Sequence, residues 1–90
     1  MNFVYYENEI VLLGEEGEML ARVTFPKVSE GIVDVNHTFV DVNQRGKGLA
    51  KKMMEELVKY LKSTNRKAIV TCSYAKKWFE ENPEYAEIKV

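Results

Sequence analysis

The first half of the chain alternates apolar with polar positions, and the second half opens on apolar residues spaced by threes and fours. Alternation predicts strands. Phe3–Tyr6 is short and aromatic, and Glu9–Leu13 is apolar with β-branched members. The run Gly14-Glu15-Glu16-Gly17 suits a hairpin loop. Met19–Val28 alternates Leu20, Arg22 and Thr24 with Met19, Ala21, Val23 and Phe25, and Pro26 marks its far end as an edge or a bulge. Ser29-Glu30-Gly31 turns the chain into Ile32–Val42, the third strand of an antiparallel meander.

That third strand changes parity. Its apolar positions are odd-numbered at Val33, Val35 and Phe39, then even-numbered at Val40 and Val42. Because strand side chains have a period of two, the change calls for a one-residue slip near Phe39-Val40. A β-bulge supplies such a slip and leaves ladder amides unpaired for a ligand. A strand that twists and ends early is the alternative.

Leu49, Ala50, Met53, Met54, Leu57, Val58 and Leu61 form one helical stripe, with Lys51, Lys52, Glu55, Glu56, Lys59 and Lys62 on the opposite face. The helix is expected to end near Thr64, with Asn65 as its left-handed terminator. Lys67–Cys72 is a short apolar strand, predicted to pair in parallel with Ile32–Val42 through a right-handed crossover. A second helix over Tyr74–Glu81 stops at Asn82-Pro83, and Tyr85–Lys89 is a candidate last strand. The fold class is therefore α+β: a mixed, mainly antiparallel sheet in the order β-β-β-α-β-α-β, with helices packed on it.

Composition narrows the function classes. Ninety residues, 46% of them hydrophobic, suit one domain over residues 1–90 that folds without disulfides or a metal. The single cysteine, Cys72, and the absence of a basic, apolar leader point to a reducing, cytoplasmic setting. A net charge of −1 lacks the basic excess of a nucleic-acid surface, and no stretch approaches the length of a membrane span. Charge is local instead. Arg45, Lys47, Lys51 and Lys52 lie close together, while glutamates crowd the N-terminal part.

That basic cluster surrounds Gly46 and Gly48 at the start of the long helix. Glycines there disfavour the helix, by up to ~1 kcal/mol each against alanine in a helix interior. They also clear the backbone of Cβ atoms, so an outside group can reach the amides. Helix N-termini leave N–H donors unpaired, and the nearest candidate caps, Asn43 and Asp41, come earlier. An anion is the missing partner, with Arg45, Lys47 and Lys51 around it. The pattern is neither the Walker loop, since no Ser or Thr follows Lys47, nor G-x-G-x-x-G, since Lys51 stands at the third glycine.

The stretch Thr38 to Ala50 resembles the acyl-CoA signature of the GNAT acetyltransferase superfamily, Q/R-x-x-G-x-G/A, with Arg45, Gly48 and Ala50 in its fixed positions. The resemblance spans roughly residues 32–81. It implies a minimal acetyl-CoA-binding core with one splayed parallel strand pair, and a small single-domain member of that superfamily. By the same resemblance, Arg45, Gly46, Lys47, Gly48, Leu49 and Ala50 bind the pyrophosphate, and Phe39, Val40 and Val42 pair with the pantetheine arm. The implied activity is transfer of an acetyl group from acetyl-CoA to an amine acceptor, a small molecule or peptide. The charge balance and the lack of a long apolar run leave nucleic acid and membrane out of the expected partners, and the oligomeric state is left open between monomer and weak dimer.

The chain also departs from the full superfamily. By the resemblance, the N-terminal helices that build the acceptor wall are expected to be missing. With Trp78-Phe79-Glu80 aligned on the family's Leu-Tyr-Glu stretch, Phe79 takes the place of the tyrosine that often serves as general acid. Cys72 aligns near the thioester, where it is a candidate proton donor, a candidate nucleophile, or a small buried hydrophobe. His37 is a candidate base or a strand side chain, and Tyr74 a cofactor contact, an acid or a packing residue. Trp78 reads as core or substrate wall. A CoA-binding module without turnover and a small protein-interaction adaptor are the alternatives to an enzyme.

Overall fold

A computed structural model describes residues 2–90. Six strands precede the long helix: β1 (Asn2–Tyr6), β2 (Glu9–Leu13), β3 (Met19–Thr24), β4 (Lys27–Ser29), β5 (Ile32–Val35) and β6 (His37–Val40). Then come α1 (Leu49–Ser63), β7 (Lys67–Val70) and α2 (Ser73–Glu81). The strands form two sheets, in the orders β1-β2-β3-β6 and β4-β5-β7, with only the β5–β7 pair parallel. This is the mixed α+β architecture that the alternation and the helical stripe predict, with two strands of the expected meander each divided in two.

Both divisions have local causes. Pro26 has no amide to donate, and it separates β3 from β4. On the facing chain, Asn36 separates β5 from β6. His37 stands opposite Thr24, yet the Asn36 amide also donates to the Thr24 carbonyl at 3.3 Å and Val33 stands opposite Lys27, so the sums of the paired numbers drop from 61 to 60 across Asn36. The slip is real, but it lies at Asn36 rather than near Phe39-Val40. Val33 and Val35 face the core at 1% and 0% exposure, whereas Phe39 is 36% exposed. Phe39 points outward, which is why counting it with Val33 and Val35 misplaces the break.

α1 follows its stripe. Leu49, Met53, Met54, Leu57, Val58 and Leu61 are all buried, and the helix packs on β2, β3 and β6. Each fully buried side chain of this size contributes about 1.5–3 kcal/mol of transfer free energy. Truncating Leu57 to alanine would cost about 2–5 kcal/mol, because the 0%-exposed site cannot refill with water. The helix ends as expected: Thr64 caps it, and Asn65 adopts φ 55°. The Arg66 amide then donates to the Leu61 carbonyl at 2.8 Å, closing the last turn.

The C-terminal segment corrects one expectation. Pro83–Ile88 is a 3₁₀ turn, and the expected strand Tyr85–Lys89 survives only as a single parallel bridge between Ala68 and Lys89. A 3₁₀ turn brings residues three apart onto one face. Tyr85 can therefore stack on Trp78, with ring centroids 5.1 Å apart, while Ile88 enters the core at 3% exposure. A period-two strand would send them to opposite faces. Trp78 is itself a core residue, 5% exposed, with its indole nitrogen unpaired among the described residues.

No helix among the described residues is long and apolar enough to cross a membrane.

Candidate functional site

Asn36 creates a fork. The parallel ladder runs from Ile32 opposite Lys67 to Val35 opposite Val70 and stops there. The amides of Thr71 and Cys72 both donate to the Val35 carbonyl, each at 3.0 Å, as the last rung. Beyond it β6 follows β3, while the other branch turns at Cys72 into α2.

The register of β6 decides which peptide groups face the fork. The Asp41 amide donates to the Leu20 carbonyl at 2.9 Å, and Phe39 and His37 stand opposite Arg22 and Thr24. In an antiparallel ladder bonded pairs alternate with unbonded ones. Phe39 and His37 therefore direct their peptide groups at β3, and Thr38 and Val40 direct theirs at the open side. Side chains alternate too. Thr38 and Val40 stand opposite the core residues Val23 and Ala21, whereas His37 and Phe39 lie on the other, exposed face.

The mouth of α1 lies beyond β6. A short 3₁₀ turn, Val42–Gln44, follows the strand, and the Asp41 carboxylate caps it by accepting from the Asn43 amide at 3.2 Å. Asp41 thus serves that turn and leaves α1 uncapped. Gly48 is the N-cap residue of α1, at φ 75° and with no side-chain cap. The first bond of the helix runs from the Lys52 amide to the Gly48 carbonyl at 3.2 Å, so the preceding amides have no intrahelical acceptor. Gly46, at φ 83°, and Gly48 both face open space: a Cβ added to either would meet nothing within 4 Å. A left-handed residue beside exposed amides is an anion-binding arrangement.

A hollow of about 260 Å³ lies over these amides. Arg45, Gly46, Gly48, Leu49 and Ala50 line it from the loop, with Val40 of β6 and Tyr74 of α2 closing its sides. Seven of the sequence-predicted contacts therefore meet in one place. Lys47 does not line the hollow, and its amine donates to the Gln44 side chain at 3.2 Å. Phe39 lies on the outer face, and Val42, 68% exposed, belongs to the 3₁₀ turn rather than to the strand. Gln44 and Lys51 also line the hollow. Lys51 was legible as local charge, whereas nothing in the sequence singles out Gln44. Among the described residues Arg45, Lys47 and Lys51 form no ion pair with a carboxylate.

Cys72 is half-buried at the fork, as the N-cap residue of α2. Its sulfur lies 3.6 Å from the Thr38 hydroxyl on the opposite branch. Placing the slip at Asn36 would have revealed Thr38 as an inward residue beside Val40. His37 is not brought to Cys72, because it projects from the face of β6 opposite to Thr38. Partial burial raises the Tyr74 hydroxyl above its ordinary pKa, and Glu81 and an ionised Cys72 push the same way. Tyr74 is therefore a protonated donor at neutral pH. Phe79 is 2% exposed in the core and has no proton to give.

The fold matches known proteins. A GCN5-like putative N-acetyltransferase from Staphylococcus aureus superposes with a TM-score of 0.75 at 26% identity, over 99% of this chain and 87% of that one. Tetrahymena GCN5 shares the fold with a TM-score of 0.69 at 13% identity, over 91% of this chain and 59% of that one. Protein NATD1 of Homo sapiens and of Gallus gallus is 35% identical over 63 residues, 70% of this chain. The matched region covers 56–57% of those relatives, so the chain spans little more than half their length. The family described as GCN5-related N-acetyl-transferase matches residues 6–88, nearly the whole chain, so by sequence as by fold this protein belongs to the GCN5-related N-acetyltransferase family.

Proposed function

We propose that this chain transfers an acetyl group from acetyl-CoA to an amine. The observation that carries the reading is the meeting of two sets of unused main-chain groups. The amides at the mouth of α1 face a hollow into which Gly46 and Gly48 project no Cβ, and the peptide groups of Thr38 and Val40 line the open side of β6. A diphosphate suits the first set. An amide-bearing thiol arm suits the second, pairing as an added strand would. The arm's main-chain contacts fall to Thr38 and Val40, because Phe39 already bonds to β3.

Bound acetyl-CoA supplies an activated acyl carbonyl. Gly46 and Gly48 admit the diphosphate to the amides of Leu49 and Ala50, and Arg45 and Lys51 add full charges from the rim. Lys47, held by Gln44, contributes field rather than contact. Tyr74 keeps its proton at neutral pH and suits donation to a departing sulfur. His37 projects from the outer face of β6, away from the fork, so no proton-transfer step is assigned to it and His37→Ala serves as a control.

Cys72 gives a two-step route. Its sulfur bonds to the acyl carbon as the thioester C–S bond breaks, and the thiol proton leaves on the CoA sulfur. The amine nitrogen then bonds to the same carbon, and its proton passes to the released Cys72 sulfur.

The test is calorimetry with acetyl-CoA, followed by CoA-thiol release with pooled amines for the unmodified protein, Cys72→Ala and His37→Ala. Binding with amine-dependent release that Cys72→Ala abolishes is the expected result, and no heat of binding would remove the reading. One observation favours a second reading, a CoA-binding module with little turnover. The position aligned with the family's usual acid is a phenylalanine sealed in the core. Binding without amine-dependent release would decide for the module.

A further inference from the structure

Among the described residues, the Thr38–Cys72 contact is the one side-chain hydrogen bond that joins β6 to the branch that turns at Cys72. Both partners are held from behind. Thr38 is β-branched, which restricts its χ1, and it stands opposite the fully buried Val23 on the core face of β6. Cys72 is fixed by its amide, which donates to Val35, and by its carbonyl, which accepts from the Lys76 amide at 2.9 Å. With both backbones anchored, the free variable is the rotamer of the thiol. The Thr38 hydroxyl, 3.6 Å from the sulfur, is the group that selects it.

A hydroxyl can do more than orient. It is both donor and acceptor. It can accept from the thiol when the sulfur is protonated and donate to the sulfur when it carries charge. Valine, of nearly the same shape, can do neither.

We propose that Thr38 is the positioning residue of the acyl-transfer reaction, holding the Cys72 sulfur at the fork and donating to it as negative charge develops there. The proposal rests on the reading of the fork as an acyl-CoA site. It adds a specific role for a residue whose main chain alone entered that reading. Thr38 acts through Cys72 and forms no bond to the acyl group.

The test compares Thr38→Val, Thr38→Ser and the unmodified protein by alkylation with iodoacetamide, which reports on Cys72 as the only thiol in the chain. No CoA is needed for this arm. A hydrogen bond to a charged sulfur predicts about tenfold slower alkylation of Thr38→Val near neutral pH, with the pH–rate profile displaced to higher pH. Thr38→Ser keeps the hydroxyl and should react within about twofold of the unmodified protein. Equal rates in all three proteins would overturn the proposal, as would a serine variant as slow as the valine one, which would point to packing. A second arm incubates each protein with acetyl-CoA and reads acetylation of Cys72 by intact mass, where the same order of rates is expected. Absence of CoA binding by the unmodified protein would remove the acyl-CoA reading and with it Thr38's role in transfer. CoA binding with no difference in alkylation would remove Thr38 alone.

Discussion

The parallel pair β5–β7 has two ends, and they differ in what they leave unused. At the Ile32–Lys67 end the groups are engaged. The Lys67 amide donates to the Gly31 carbonyl at 2.9 Å, and the Arg66 guanidinium lies over the Phe25 and Tyr60 rings at 5.6 and 5.1 Å. The same guanidinium donates to the Glu7 carbonyl and to the Thr64 hydroxyl. At the Val35–Val70 end the ladder stops, and amides and peptide groups are left without main-chain partners beside the half-buried Cys72 thiol. Size misleads here. The hollow at the engaged end is about 460 Å³ against about 260 Å³ at the mouth of α1, yet its guanidinium already has partners. Unpaired donors, not volume, mark the end proposed as the site.

The sharpest way to break this contrast exchanges glycines at the two ends. Gly48, at φ 75°, and Gly31, at φ 73°, both face open space, so alanine at either costs about 1–2 kcal/mol of backbone strain. Each variant should melt lower by roughly 4–8 °C per kcal/mol. Only Gly48→Ala should also weaken acetyl-CoA binding, by about tenfold or more as amide contacts to a charged group are lost. Equal binding by both variants would erase the distinction. The strain also means that Gly48→Val would lower stability as well as block the amides, so the Gly31 control is needed.

Arg66→Ala probes the engaged end. Losing two ring contacts of about 0.5–1 kcal/mol each should destabilise the protein, with thermal melts as the measure. Binding of acetyl-CoA should persist, and its loss would show that the two ends are coupled. Arg45→Ala and Lys51→Ala should each weaken acetyl-CoA binding about threefold to tenfold at low salt, with the difference shrinking as salt screens the charge. A salt-independent loss would argue for packing.

The smallest expected effects are on pH dependence. Tyr74 has a raised pKa, so its contribution to stability is complete below the unfolded value of about 10 and is lost as pH rises through the folded value. Tyr74→Phe should therefore flatten the alkaline decline in melting temperature. Glu87 has a lowered pKa through its hydrogen bond to Lys62. Its contribution is present above the unfolded value and lost as pH falls through the folded one. Because Glu87 is fully exposed, Glu87→Gln should change the acid limb only slightly.

Much of this was legible in the sequence because the signals were local. The α1 stripe, the Asn65 terminator, the Pro26 break and the paired glycines each follow from a residue and its near neighbours. The parity change also gave the existence of the slip, but not its place. Phe39 is apolar and outward, and apolarity alone cannot assign a face at the border of two sheets. The same error hid Thr38, whose inward direction follows only once the break is set at Asn36. The last strand failed for another reason: Tyr85 and Ile88 gain more from stacking and burial beside Trp78 than from a ladder with one available neighbour. Contacts between distant segments, such as Thr38 with Cys72, leave no trace in spacing.

Asn36 has one more consequence, for how such a protein can change over generations. The opening between the branches is made by one surplus peptide unit on one chain, and no particular side chain is needed to keep it. Replacements at the outward positions of residues 32–40, away from the core residues Val33 and Val35 and from Thr38, can accumulate while the opening survives, provided the length of that stretch is kept. Loss of a single codon there would let the two half-strands fuse into one and zip the opening shut, so the outward positions of this stretch should tolerate altered letters while the stretch as a whole rejects altered length.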